Sequence, residues 1–317
     1  MARYRVVFFG TPEFAVPTLQ ALIGGPDAVV GVVCQPDKPS GRGQQLQAPP
    51  IKRLALEHQL PLAQPVKVKT EELPAVLRSW QPDLAVVAAY GRILPPAVLD
   101  LPRLGCINVH ASLLPAYRGA APIQWALLRG ETTTGVTIMR MSEGMDEGDM
   151  LLQRRTPIAS DETYGALQRR LAALGAAALM DALAALQAGT LHATPQDSAA
   201  ASYAPMIRKQ DGAIDWADAA AAIANRVRAF NPWPSAFTMR QGRLLKVHRA
   251  HAVGDTSERL PGTVLGLDAV IRVATGHGVL AIEELQLEGK RALAASDFAR
   301  GGAIAVGDRL GAGAAAS

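Results

Sequence analysis

Three hydrophobic periods divide the chain. Residues 3–9 (RYRVVFF) lead into an apolar run at Val6–Phe9, residues 29–33 are continuously apolar, and residues 83–95 (DLAVVAAYGRILP) are apolar on both faces until Tyr90, Gly91 and Arg92 interrupt them. All three predict strands, and the run at 83–95 predicts a central strand of a parallel sheet with a ligand-binding loop at its C-terminal end. Between them, residues 15–23 and 51–59 carry apolar side chains at helical spacing, so strand and helix alternate as in an α/β domain with a mostly parallel sheet and helices on both faces. Residues 160–163 (SDET) predict a helix start with Ser160 as cap and two acids in the first turn. Tyr164, Leu167, Leu171, Leu174, Leu183 and Leu186 mark one face of that helix down to Gly189. Beyond residue 206 the period becomes alternating, in short runs at 237–240, 243–251, 262–264, 270–274 and 279–287 separated by turn residues, which predicts a small β-barrel. The division expected is a domain over 1–189, a small, polar, proline-bearing linker over 190–206, a barrel over 207–310 and a disordered tail over 311–317.

Chemistry concentrates in residues 106–149. CINVH (106–110) alternates as a short strand, and Pro115 and Gly119 then stop regular structure. Side chains two apart on a strand share a face, so Asn108 and His110 aim at one place while Val109 points into the packing. A second strand, 135–141, runs into SEGMDEGD (142–149), where Gly144 and Gly148 allow a tight turn that presents acids. If the two strands are neighbours, Asp146 reaches His110. An Asn donor, a His and an Asp fit acyl transfer to an amine: the amide binds the developing oxyanion, the His carries charge, and the Asp holds the His and takes the amine's proton. No nucleophilic Ser or Cys is required. Spacing alone leaves a purely structural role for these polar groups open.

Composition narrows the class. With 317 residues, 49% apolar and 19% charged, the chain has ordinary globular make-up and length for two cores. The apolar runs are broken by Pro, Gly or charge, so no span of about 20 residues to cross a bilayer is expected. Residues 1–5 lead into a strand rather than a cleavable signal, which makes the expected location cytoplasmic. Cys34 and Cys106 are expected as reduced core thiols, and the six histidines show no ligand spacing, so no metal is expected. Gly10 follows the first strand without GxGxxG, so no dinucleotide fingerprint is read there. Residues 35–50 hold four prolines and two glycines and are read as a long irregular loop, either solvated or functional. The formal charge of +4 gains meaning from Arg208, Lys209, Arg226, Arg228, Arg240, Arg243, Lys246 and Arg249, which have few acids nearby in sequence between 225 and 251. They are read as a basic patch making phosphate contacts.

The stretches NVHASLLP from Asn108, YRGAAPI from Tyr117 and GMDEGD from Gly144 resemble the signature of the 10-formyltetrahydrofolate-dependent formyltransferases, and GTPEF from Gly10 fits a tRNA-directed branch of that family. The resemblance extends over nearly the whole chain. It implies a Rossmann-like catalytic domain followed by an OB-like barrel that helps hold tRNA, and formyl transfer from 10-formyltetrahydrofolate to the α-amine of methionine on initiator tRNA. Asn108, His110 and Asp146 would be catalytic. Gly91, Arg92, Ile93 and Leu94, with Ser112, Leu113, Leu114 and Pro115, would contact the folate. The 35–50 loop would enter the acceptor-stem region of the tRNA with Arg42, although Gln44 and Gln45 are neutral where relatives often carry charge. The tRNA contacts expected are Lys38, Arg42, Lys209, Arg228 and Lys246, on a monomer without metal. Rival readings are transfer to a small amine or to water, and a folate- or RNA-binding protein without catalysis.

Overall fold

The computed structural model describes residues 4–40 and 45–311. Arg42, and residues 312–317 of the expected tail, lie outside the described residues. Two compact units form, Met1–Pro122 with Thr133–Pro157 and Gln168–Pro205, and Ile123–Thr132 with Ile158–Leu167 and Met206–Ser317.

The first unit runs β1 (Arg5–Gly10), α1 (Val16–Ile23), β2 (Ala28–Val33), β3 (Lys38–Ser40), β4 (Gln45–Gln47), α2 (Pro50–Glu57), β5 (Leu62–Ala63), α3 (Glu72–Trp80), β6 (Leu84–Ala88), α4 (Pro96–Leu99) and β7 (Cys106–His110). Helix α5 (Pro122–Leu128) precedes β8 (Thr133–Arg140), β9 (Met150–Pro157) and α6 (Tyr164–Gln187). Seven strands form one sheet in the order β5-β2-β1-β6-β7-β8-β9. Pairing is parallel from β5 through β7 and antiparallel from β7 to β9. All five residues of β6 are buried, as apolar character on both faces requires of a central strand. Val7, Phe9, Leu77, Val87 and Tyr90 share one core cluster, where Phe9 and Tyr90 meet edge to face at 5.4 Å. Each such side chain contributes roughly 1.5–3 kcal/mol on burial. The strand order reverses between β1 and β6, so ligands are expected beyond the C-terminal ends of these strands and their neighbour β7. On β7, Val109 faces away from the site, and a Cβ on Gly175 of α6 would lie 2.7 Å from Val109 Cγ1. Glycine inside this helix, normally unfavourable by roughly 0.5–1 kcal/mol, therefore lets α6 sit close on β7.

Four local expectations change. The 35–50 loop contains a two-stranded hairpin, with Lys38 opposite Gln47 and Ser40 opposite Gln45. Pro39 fits because an isolated ribbon leaves its outer edge without a partner that needs an N–H. Helix α6 starts at Tyr164, and Thr163 rather than Ser160 caps it, its Oγ1 accepting from Ala166 N at 3.4 Å. The same helix has 24 residues and is apolar enough by length and composition to cross a bilayer, contrary to expectation. Its Leu167, Leu171, Leu179 and Leu183 are instead buried in the fold. Finally, the 190–205 stretch is bonded to the first unit. Met150 and Thr194 exchange backbone hydrogen bonds at 2.8 Å, Arg118 N donates to Ser202 O, and Ala204 N donates to Arg118 O, the last two also at 2.8 Å.

In the second unit α7 (Ala220–Ala229) is followed by β10 (Ala236–Arg240), β11 (Arg243–Val253), β12 (Val264–Leu267), β13 (Ile271–Ala274), β14 (Val279–Leu287), β15 (Leu293–Ala294) and α8 (Ala295–Arg300). These strands form an antiparallel sheet in the order β10-β11-β14-β13-β12, with β15 added beside β14. Trp216, Ile223, Val227, Leu245, Ile282 and Phe298 fill its core, and Trp216 Nε1 donates to Thr238 Oγ1 at 3.0 Å. Gly311, assigned to the tail by the sequence, is tied down by its N–H to Met239 O at 2.9 Å.

Candidate active site

Strand β7 ends the parallel part of the sheet and begins the antiparallel part, with Val87 opposite Asn108 on one side and Met139 opposite Asn108 on the other. His110, opposite Thr137, is 5% exposed. Its Nε2 lies 3.0 Å from Tyr117 O. A carbonyl only accepts, so Nε2 carries the proton of the neutral ring and Nδ1 is the nitrogen left for chemistry. That Nδ1 faces Asp146 Oδ2 at 3.6 Å. The neighbouring-strand arrangement read from the sequence thus brings His110 and Asp146 together. Among the described residues the half-buried Asn108 side chain has no hydrogen-bond partner, which leaves its amide available to an incoming oxygen.

Two strained turns hold this geometry. Tyr117 and Asp146 adopt left-handed backbone, φ +63° and +52°, at roughly 1–2 kcal/mol each for residues with a Cβ. Asp146 Oδ2 accepts from Gly119 N at 2.9 Å. Gly119 has φ +118°, and a Cβ there would lie 2.9 Å from Ala204 O, so glycine is required. Tyr117 N donates to Ser202 Oγ at 2.9 Å. Arg118, 3% exposed, sends Nε and Nη2 to Gln196 Oε1 at 3.0 and 2.9 Å. Gln196 Nε2 donates to Asp146 O at 2.8 Å and Gly148 O at 2.7 Å. The sequence stretch YRG was visible but carried no role for its individual residues, and nothing in the polar segment around Gln196 and Ser202 pointed to the site.

The expected folate residues fall into two groups. Arg92, Ile93 and Leu94 line a cavity of about 140 Å³ together with Met139, Met141 and Asp146. Ile93 is 73% exposed at its rim, Leu94 is buried, and Arg92 donates to Val66 O at 2.6 Å. Gly91 is exposed with φ +77°, and Gln35 Nε2 reaches the adjacent Tyr90 O at 2.8 Å. The 112–115 segment is internally braced. Ser112 Oγ donates to Ala116 O, Thr137 Oγ1 donates to Ser112 O and accepts from Leu114 N, and Gln153 donates to Leu114 O. The Ser112 hydroxyl and the buried Leu114 side chain are thus committed to the protein, while Leu113 and Pro115 remain half-exposed. A larger open cavity of about 630 Å³, bordered by Asp255, Ser257 and Arg272 in the second unit, is lined by none of Asn108, His110 and Asp146. Cys34 and Cys106 are buried and unpaired, and burial pushes their thiols up to about 11 and about 12, so neither is a thiolate at neutral pH.

The basic patch is smaller than its sequence density implied. Acids outside residues 225–251 pair with three of its members: Asp218 with Arg226 at 3.3 Å, Asp308 with Arg240 at 3.2 Å and Glu283 with Arg249 at 2.7 Å. Arg228 is half-buried, donates from Nε to Asn225 Oδ1 at 3.0 Å and faces Leu127 O, and desolvation lowers its pKa while Glu162 opposes that. It is a structural cation rather than a surface one. Lys209 is exposed and Lys246 half-exposed on β11, and among the described residues neither has an ion pair. Lys38 is exposed on β3, with Nζ donating to Gln35 Oε1 at 2.7 Å. Among the described residues no group of three or more His, Cys, Asp or Glu side chains is placed to hold a metal.

The switch-point sheet carries Asn108 and His110 on β7, with Asp146 on the turn beyond β8. The chain belongs to the formyl transferase family: residues 4–183 match the formyl transferase domain and residues 206–303 the formyl transferase C-terminal domain. Within it, the methionyl-tRNA formyltransferase of Geotalea uraniireducens is 50% identical over 313 residues, 98% of this chain and 99% of the relative. That of Citrifermentans bemidjiense is 51% identical, again over 98% of both chains. Among solved structures, HypX from Aquifex aeolicus in complex with tetrahydrofolic acid aligns with a TM-score of 0.61 over 93% of this chain and 47% of its own, at 19% identity, a likeness of fold.

Proposed function

We propose that this chain transfers the formyl group of 10-formyltetrahydrofolate to the α-amine of methionine on initiator tRNA. The observation that carries the reading is His110 held between the Tyr117 carbonyl and the Asp146 carboxylate, two residues from Asn108, whose side chain has no hydrogen-bond partner among the described residues. The family and the full-length relatives named methionyl-tRNA formyltransferase support the substrates. The residues present fit a formyl donor: the cavity beside Asp146 has an apolar wall in Ile93, Leu94 and Met139, and it accommodates a fragment, not a whole drug-sized ligand, so the remainder would extend over the exposed rim. The folate supplies an activated formyl carbon. Leu113 and Pro115 on the braced segment and Gly91, Arg92 and Ile93 on the opposite loop would hold it.

In this reading Asn108 donates to the formyl oxygen, on which negative charge develops as the amine attacks. His110, protonated on Nδ1 as well as Nε2, supplies positive charge. Asp146 orients that imidazolium and takes, directly or through water, the proton lost by the amine. The new bond joins the methionine nitrogen to the formyl carbon, the bond from that carbon to the folate nitrogen breaks, and the folate nitrogen regains a proton. The buried ring and the half-buried carboxylate act where solvent is largely excluded and fixed dipoles are more effective than in water. Lys38, Arg42, Lys209 and Lys246 contribute phosphate contacts, and the chain acts as a cytoplasmic monomer.

The test is formyl transfer from 10-formyltetrahydrofolate with charged initiator tRNA, free methionine and water as competing acceptors, and with Arg42→Ala alongside. Formylmethionyl-tRNA as the main product, lost with Arg42→Ala, supports the reading. Transfer confined to free methionine or water would replace the acceptor, and no transfer with retained folate binding would replace the enzyme by a binding protein.

A further inference from the structure

We infer that Gln196 is a positioning residue for the reaction, the lock that keeps Asp146 aimed at His110. This rests on the formyl-transfer reading above. Asp146 sits in a left-handed turn, a conformation Asp tolerates but does not prefer, so contacts from outside the turn help to fix it. Gln196 supplies such contacts with its whole amide. Its Nε2 donates both protons, one to Asp146 O at 2.8 Å and one to Gly148 O at 2.7 Å, so it grips the turn on both sides of Glu147. Its Oε1 takes the fork of Arg118, Nε at 3.0 Å and Nη2 at 2.9 Å.

That assignment admits only one orientation. A flipped amide would set its NH2 against the guanidinium and its oxygen against two carbonyls, losing four hydrogen bonds at once. Arg118 itself is buried, and its backbone is paired with Ser202 and Ala204, so the guanidinium is a fixed reference rather than a mobile chain. The next residue, Gly119, donates from its own N–H to Asp146 Oδ2. One short segment therefore fixes Asp146 twice, through its carboxylate directly and through its backbone by way of Gln196. The carboxylate contact to His110 Nδ1 is 3.6 Å, beyond hydrogen-bond length, so a small rotation of the turn in either direction decides whether that pair is formed. Gln196 is delivered by the stretch after α6, which backbone bonds at Thr194, Ser202 and Ala204 strap to the first unit.

Two variants separate the parts. Gln196→Met keeps length and packing and removes all four hydrogen bonds. Gln196→Glu keeps an acceptor for Arg118, and hence the anchoring of the strap, but presents oxygen to both carbonyls of the turn. With circular dichroism unchanged, each is expected to lower kcat about 10- to 100-fold, the cost of a displacement near 1 Å at a catalytic group, and to leave KM for the formyl donor within about twofold. At fixed pH in the enzyme without substrates, the ring 15N signals of His110 are expected to move in both variants. A kcat within twofold of wild type, a loss expressed in KM alone, or unmoved His110 signals overturns the inference. If the wild type forms no formylmethionyl-tRNA, the reading it rests on fails, and the His110 signals still decide whether Gln196 sets the Asp146–His110 contact.

Discussion

Asp146→Asn isolates the charge at the centre of the proposed mechanism. Asn is among the residues that best tolerate left-handed backbone, so the φ of +52° is retained without added strain. In Asp146 one oxygen, Oδ2, both accepts from Gly119 N at 2.9 Å and faces His110 Nδ1 at 3.6 Å. The amide oxygen of Asn takes that place, because its NH2 there would meet the Gly119 N–H. Geometry is kept and only the charge leaves. Two unit charges 3.6 Å apart attract by roughly 4–5 kcal/mol at an effective dielectric of about 20. The side chains are 6% and 19% exposed, so solvent trims this modestly; about 3–4 kcal/mol corresponds to about 10²- to 10³-fold in rate. The missing proton acceptor acts on the same step and does not simply add. The expected outcome is a fall of about 10²- to 10³-fold in single-turnover formyl transfer to charged initiator tRNA, with little change in KM. A rate within about fivefold of wild type would refute the assignment of Asp146, because the unpaired imidazolium would then be adequate without its counter-charge.

Asn108→Ala is expected to cost about 10²- to 10³-fold in kcat, as for one oxyanion donor, with unfolding by urea unchanged because the amide has no partner among the described residues. Gly175→Ala reverses the usual sign for a helical glycine: the new Cβ meets Val109 Cγ1 at 2.7 Å, and overpacking of about 1–3 kcal/mol should exceed the propensity gain of about 1 kcal/mol in denaturant titrations. Asp83 is held below its ordinary 3.8 by the Arg5 backbone N–H at 2.8 Å and then by Arg103 at 2.7 Å. A depressed folded value stabilises above the unfolded one, so its contribution is full above about pH 4–5 and vanishes as pH falls through the lowered value; Asp83→Asn should flatten that part of the stability curve, and an unchanged slope would count against it. Lys209→Ala and Lys246→Ala should each reduce the slope of log affinity for tRNA against log salt by about one, whereas Arg240→Ala, already paired with Asp308, should not.

The fold was legible where one residue's environment follows from its neighbours in sequence. Strand β6 announced itself because burial on both faces leaves no polar position, and the face shared by Asn108 and His110 followed from the two-residue period of a strand. The cap of α6 was misplaced because Ser160 and Thr163 are both competent acceptors and only the path of the chain chooses between them. The β3–β4 hairpin was hidden by its prolines and glycines, whose density rules out long elements but not a three-residue ribbon. The Gly175 contact with Val109 needed the packing of a helix on a particular strand, which no local period encodes.

The basic patch misled, and the approach of Asp146 to His110 was legible, for the same reason. Counting acids between residues 225 and 251 found few, yet Asp218, Glu283 and Asp308 come from outside that window to neutralise Arg226, Arg249 and Arg240. Charge compensation is a property of space, and sequence distance is a poor guide to it. The same logic applied in reverse to Asp146: its approach to His110 could be read only because two adjacent strands convert a separation of 36 residues into a register, His110 opposite Thr137 on β8, with the acidic turn just beyond that strand. Gln196 has no strand to carry it, and its arrival depends on single bridges such as Met150 with Thr194. A residue near His110 is therefore visible in sequence to the extent that a regular ladder brings it in, and Gln196, which bonds to the Asp146 turn, is hidden because it arrives on an irregular strap.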